Sequence, residues 1–313
     1  MSASESTSIP AITRADIAAE CAPLPLPGSG KTHARWDRLV AVGHRDLALA
    51  KLVEPHHDAV AILAELGGPV PRDGQVWGVW AAEPPFAVLR ATSSGNGWRL
   101  TGTKAFCSGG TLVTHALVTA ETDEGPRLFA VVVGAAGVAV DHAAPHWVGP
   151  GMRRAQTVTL GFDNVVGEAV GGPGDYTNRA GFWFGAIGVA ACWLGGTLGV
   201  ADLMRESADR LGPHGLAHLG AAHAGTETLV LALEAAARRV DAGLDTHAAR
   251  HLALVVRANA AALAEDVVSR TGRATGPGPL AFDEQHAQRV ADLLVFVRQH
   301  HAERDLATLG SLQ

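Results

Sequence analysis

The fold turns on "GWRLTGTKAFCSGG", Gly97–Gly110. It reads as one strand, a tight turn at Thr101-Gly102-Thr103, and a second strand ending on Phe106-Cys107-Ser108 before two glycines. Alternation along a strand sets Phe106 and Ser108 on one face and Cys107 on the other. An aromatic, a thiol and a hydroxyl in a row fit two readings: ordinary sheet packing, or the wall of a ligand site.

Further short apolar runs surround this hairpin. They are Gln75–Ala82, Phe86–Thr92, His115–Ala120, Arg127–Val133, Val138–His142 and Thr157–Val165. Gly95-Asn96-Gly97 and Asp123-Glu124-Gly125 are turn signals between them. Many short strands at this spacing predict a compact barrel or sandwich. On the N-terminal side, residues 34–66 carry Leu39, Val42, Leu47, Leu49 and Leu52 at helical spacing, with Pro55 expected to separate two helices. On the C-terminal side, helical periodicity returns near Arg179. It continues through "HAGTETLVLALEAAARRVDAGL", "THAARHLALVVRANAAALAEDVVSRTGRAT" and a last helix in "DEQHAQRVADLLVFVRQHHAERDLATLG". The expected division is 1–72 helical, 73–178 β and 179–313 a four-helix bundle.

The bulk numbers exclude several classes. The net charge of −6 comes with no Lys/Arg stripe, so nucleic acid has no electrostatic footprint. Cys21, Cys107 and Cys192 are too scattered for a disulfide framework or a C-x-x-C metal pair. A reducing, cytoplasmic setting follows, and the polar start MSASESTSIPAITRAD lacks the order of a signal peptide. Ala180–Ala201 is charge-free and long enough for a bilayer, but its six glycines point to a helix buried in a bundle, and no membrane partner is expected. Gly30-Lys31-Thr32 hints at a phosphate loop, but Pro25 stands where such a loop needs glycine, so a linker is the expectation. Glu54-Pro55-His56-His57 is a single Glu-x-x-His, whereas a di-iron bundle uses two, and no closed metal set is expected. A Gly-x-Ser-x-Gly elbow is absent.

Four stretches in order resemble the acyl-CoA dehydrogenase family: "VGHRDLALAKLVEPHHDAV" (42–60), "GWRLTGTKAFCSGG" (97–110), "GMRRAQTVTLGFDNVVGEAVGG" (151–172) and "GRATGPGPLAFDEQHAQRVADL" (272–293). The resemblance covers roughly residues 36–310. It implies an α+β fold with a short N-terminal helical region, a central small β-barrel domain and a C-terminal four-helix bundle. It also implies FAD between barrel and bundle, and pairing of subunits into a homodimer or homotetramer. Carried over by position, Phe106 matches the aromatic that packs on the flavin ring and Ser108 the hydroxyl near flavin N5 and O4. Ala82 stands where the flavin-binding loop has a hydroxyl, and Gly276 lies in the glycine turn that the resemblance places at the cofactor.

The departures concern the same site. About seventy residues precede the β region, where the family has well over a hundred, so the substrate cavity is expected to be open or reshaped. "AEPPFAVL" (82–89) keeps Glu83 and Pro84 of the flavin loop but not its glycines and serine. The Arg-x-x-Phe-Gly element that reaches a partner's flavin pyrophosphate is not recognisable in "RLGPHGLAHLGAAH", where His214 and His218 stand instead. The family's catalytic glutamate position falls near His300; the alternative position on the long central helix falls at Asp209; Glu303 lies one turn beyond His300. A neutral histidine can serve as a base near physiological pH. The resemblance implies an FAD-dependent oxidoreductase acting on the CH–CH group of an acyl thioester or related small molecule. Two alternatives stay open: a flavin-dependent monooxygenase on the same fold, and a catalytically degenerate scaffold or regulator.

Overall fold

The computed structural model describes residues 9–95 and 97–312; the residues before Ile9 and Asn96 of the expected 95–97 turn lie outside this set. Three helices come first: α1 (Arg14–Ala18), α2 (Thr32–Arg45) and α3 (Leu47–Leu66). The strands are β1 (Trp77–Trp80), β2 (Leu89–Ser94), β3 (Gly97–Cys107), β4 (His115–Thr122), β5 (Gly125–Val132), β6 (Val138–Val140) and β7 (Val158–Val170). Helices α4 (Asp175–Asn178), α5 (Ala180–Glu206), α6 (Pro213–Asp241), α7 (Thr246–Thr275), α8 (Gly278–Phe282), α9 (Glu284–Phe296) and α10 (Glu303–Ser311) follow.

The strands close into a small barrel. β4, β2, β3, β7 and β5 pair in that order, and β5 returns to β4 across a two-residue turn at Asp123-Glu124. β1 lies parallel to β4 outside the ring, and β6 lies on β7. Closure removes the free edges that an open sheet leaves. Leu100, Phe129, Leu160 and Val165 fill the interior. Lys104 is also buried there, its ammonium donating to the Thr119 carbonyl and hydroxyl at 2.7 Å each and facing Glu83 at 3.6 Å. Glu83, the surviving residue of the flavin-loop pattern, is therefore engaged with the barrel wall.

The hairpin expected inside Gly97–Gly110 does not form. Residues 97–107 are one continuous strand that pairs with β2 on one side and β7 on the other. The register with β7 shifts between Leu100 and Gly102, and again between Lys104 and Cys107. Gly102, read as a turn residue, is a bulge with φ +125, and bulges bend a strand without reversing it.

Two helix expectations change as well. Pro55 sits inside α3, and the break falls at Asp46, whose extended backbone ends α2 and whose carboxylate accepts from Leu49 N. An N-cap aspartate starts a helix more decisively than a proline stops one already packed. Since Pro55 has no N–H, the Lys51 carbonyl lacks its helical donor. The last expected helix splits into α9 and α10 at His300-His301-Ala302, where Ala302 has φ +43.

α2 and α3 pack on α5 as part of the helical layer. α5 is long and apolar enough to cross a bilayer, yet 78% of its apolar window is buried by its neighbours. Its glycines allow the close approach: a Cβ on Gly43 of α2 would lie 2.6 Å from the Cys192 carbonyl oxygen, and one on Gly195 would meet the Val40 carbonyl. The Gly-Met-Arg segment then ties barrel to helices. Met152 N donates to Asp292 Oδ1 of α9 at 2.5 Å, and Arg154 Nη2 reaches Asp46 at 2.7 Å.

Gly30-Lys31-Thr32 holds an internal anion. The Asp241 carboxylate accepts from Gly30 N (3.0 Å), Thr32 N (3.1 Å) and Thr32 Oγ1 (2.6 Å). These are the donors a helix start leaves open, here satisfied by the end of α6. Asp241→Ala is expected to destabilise the fold by about 1–2 kcal/mol, read as a lower denaturant midpoint; an unchanged midpoint refutes this role.

Candidate active site

Two adjoining cavities of about 600 Å³ each lie where the barrel meets the helices. They share Lys51, Pro55, Val79, Ala81, Gln299 and His301 along their common border.

The first is mostly apolar, with Trp80, Phe106, Trp147, Met152 and Phe296 on its walls. Phe106 is placed by the second β3 irregularity. Its φ is +57, its ring is 50% exposed, and Phe86 meets it edge-on at 6.2 Å. A non-glycine residue held there costs about 1–3 kcal/mol, a strain found mostly at functional positions. Ser108 Oγ lies 3.1 Å from Thr157 Oγ1, and the Ser108 carbonyl accepts from Trp80 Nε1 at 3.0 Å. Cys107 points the other way, fully buried.

The second cavity is charged. Lys51, Glu54 and Asp58 of α3 face Arg250 and Arg257 of α7, with Arg304 and Asp305 of α10 at the rim. Phe182, Trp183, Val189 and Leu254 supply an apolar side. Arg257 is fixed: Nη1 donates to the Ala186 carbonyl at 3.0 Å, Nη2 to that of Gln299 at 2.8 Å, and its guanidinium stands 4.6 Å from the Trp193 ring centre. Burial pushes the Glu54 carboxyl up to about 8; Asp58 adds to the rise, and Lys51, Arg35 and Arg257 oppose it. Burial likewise raises Asp58 and lowers Lys51.

The structure places the sequence-nominated residues in three groups. Ala82, Phe106 and Ser108 line the apolar cavity together. His300 is close to it without lining it. Its side chain is 8% exposed, Nε2 is 3.9 Å from Asp305 Oδ2 and without a hydrogen bond, and burial lowers its pKa. Its neighbour His301 borders both cavities. Asp209, in the turn after α5, and Glu303, at the start of α10, are exposed and line neither cavity. Gly276 caps α7 with φ +72 and lines neither cavity. Among the described residues no cluster of three or more metal-ligating side chains occurs.

Sequence reasoning missed Lys51, Asp58 and Arg250, and weighed Glu54 only as part of a metal motif. A signal was present: 51, 54 and 58 follow helical spacing, so three charges share one face of an otherwise apolar helix.

No family model matches the chain. Over 123 residues it is 36% identical to the acyl-CoA dehydrogenase FadE27 of Mycobacterium tuberculosis; the match spans 36% of this chain and 32% of that enzyme. Among solved structures, KijD3 in complex with FMN and a dTDP-linked amino-keto sugar superposes with TM-score 0.77 at 19% identity, over 95% of this chain and 82% of that one. FMN-bound TdsC from Paenibacillus sp. A11-2 gives 0.78 at 18% identity, over 89% and 82%. The Tcur3481-Tcur3483 steroid acyl-CoA dehydrogenase gives 0.71 at 21% identity, over 95% and 85%. With its barrel closed by β4–β5, seated against α3 and tied to α9 through Met152 and Asp292, the chain has the acyl-CoA dehydrogenase fold, in a divergent form.

Proposed function

We propose that this chain is a flavin-dependent oxidoreductase whose apolar cavity takes the flavin ring and whose charged cavity takes a small-molecule substrate. One observation carries the reading: an aromatic-walled cavity adjoins a charged one, across a border formed by Lys51, Pro55, Ala81 and His301. The residues fit a flat ring. Trp80, Phe106 and Trp147 offer faces and edges, and the Ser108–Thr157 hydroxyl pair offers a hydrogen-bond partner to a polar ring edge. Ala82 adds no side-chain hydrogen bond. A flavin bound there supplies the two-electron acceptor. FAD is the form that the motifs support, while FMN is the form in the KijD3 and TdsC complexes.

Within this reading, dehydrogenation of an acyl thioester or related substrate comes first, because the Glu54 and Asp58 carboxyl groups line the charged cavity. Monooxygenation is the second reading. It is favoured by the outward position of Asp209 and Glu303 and by the likeness to TdsC, a dibenzothiophene monooxygenase. Pairing of subunits into a homodimer or homotetramer, and a cytoplasmic setting with buried thiols at Cys107 and Cys192, complete the proposal.

The test is to incubate the purified protein with FAD or FMN, remove free flavin by gel filtration, and record the visible spectrum. Retained flavin is expected, and Phe106→Ala should weaken retention about tenfold, the loss of one aromatic contact. A colourless protein with both flavins would sink the proposal. Oxygen consumption by the reduced holoprotein with substrate separates the two reactions.

A further inference from the structure

Buried charges are normally paired. In the charged cavity buried Glu54 and half-buried Lys51, Asp58 and Arg250 are not. Lys51, Glu54, Asp58 and Arg250 all line it, yet among the described residues no hydrogen bond or ion pair within 4.0 Å engages their side chains. Arg250 Nε is buried and has no hydrogen-bond partner. Its guanidinium stands over the Trp183 ring, 5.6 Å from the ring centre. Lys51 Nζ lies 5.1 Å from the Phe296 ring centre, at the border of the two cavities. Both cations thus have an aromatic ring beside them and no carboxylate within ion-pair distance.

We infer that this cavity binds a small organic carboxylate with an apolar body, the carboxylate engaging Arg250 and the body lying against Phe182, Trp183 and Leu254. A planar guanidinium with open N–H donors matches a carboxylate's two oxygens. Phosphate fits less well. Asp58 and Asp305 stand on the same walls, and a doubly charged anion meets carboxylate repulsion more strongly than a monoanion does. The apolar side excludes water from the pair and gives the ligand body its contact area.

This inference rests on the flavin reading and narrows its substrate to a molecule that carries a free carboxylate, with or without a thioester elsewhere, but its test does not depend on flavin. Phenylacetate, phenylacetamide and inorganic phosphate are titrated into the purified full chain by calorimetry, with and without added FAD. Phenylacetate should bind saturably, and phenylacetamide and phosphate at least about tenfold more weakly. Arg250→Gln should weaken phenylacetate about tenfold or more, and Arg250→Lys should restore part of the loss and guard against misfolding of the Gln variant. Absence of phenylacetate binding overturns the inference. So does equal affinity for the amide, tighter binding of phosphate, or wild-type affinity in folded Arg250→Gln. A protein that binds phenylacetate but no flavin loses the flavin reading alone; one that binds flavin but not phenylacetate loses this one alone.

Discussion

Gly102→Ala should destabilise the barrel by about 2–4 kcal/mol. The backbone at Gly102 has φ +125, a region closed to side-chain-bearing residues at about 1–3 kcal/mol. A Cβ there would also stand within 3.0 Å of the Val88 carbonyl oxygen. That oxygen accepts from Thr103 N at 3.0 Å, so relieving the clash strains a ladder bond between β2 and β3. Denaturant unfolding measures the loss directly. Gly97→Ala is the control, since a Cβ at Gly97 meets nothing within 4 Å; its effect should stay within about 0.5 kcal/mol. Equal effects at the two positions would show that the β3 bulge does not depend on glycine.

The second large effect is pH-dependent. Glu54 is raised from 4.5 to about 8 by burial, then by Asp58. Below pH 4.5 the carboxyl is protonated both folded and unfolded and adds no pH dependence. Between 4.5 and 8 the unfolded chain ionises it while the folded chain keeps it protonated, so stability falls as pH rises. Above 8 the loss is complete and the slope ends. Glu54→Gln cannot ionise. Relative to wild type it should therefore gain stability across that window, by up to about 1.4 kcal/mol per pH unit. Lys51, lowered by burial beside Glu54, works against this slope. Unfolding curves for both proteins at several pH values decide the matter, and a flat difference from pH 5 to 8 would show that Glu54 ionises normally.

The fold was legible where local pattern and packing agree. Period-two runs marked most strands, the helical stripes of α6 and α7 marked the bundle, and Asp123-Glu124-Gly125 marked the β4–β5 turn. The reading that failed at Gly102 turned on a partner distant in sequence. Gly102 looks like a turn because turns and bulges both use a glycine with positive φ; only pairing with β7, some sixty residues later, decides between them. Pro55 looks like a break, but α3 is buried along its length, and Asp46 already supplies the cap. The split at His300–Ala302 has no glycine or proline to announce it.

The site divides the same way. Phe106 and Ser108 were readable because they lie on one strand within one motif. The charged cavity draws on α3, α7 and the 299–305 segment, and no short motif spans such separations. Arg250 and Arg257 are two helical turns apart on α7, as Lys51 and Asp58 are on α3. Each pair is a stripe whose partner stripe only the tertiary structure supplies.

The glycine contacts between α2 and α5 bear on how that cavity meets a ligand. Where carbonyl and helix backbone touch through Gly43 and Gly195, no side chain is present to repack. The two helices therefore have no second arrangement within easy reach. α3 is joined to α2 by the single residue Asp46, itself held by Arg154. Lys51, Glu54 and Asp58 are thus carried on a preorganised wall, and a ligand settling there loses little affinity to ordering them. The ordering falls to the opposite side, where His301 and Arg304 sit on a short helix and the segment that leads into it.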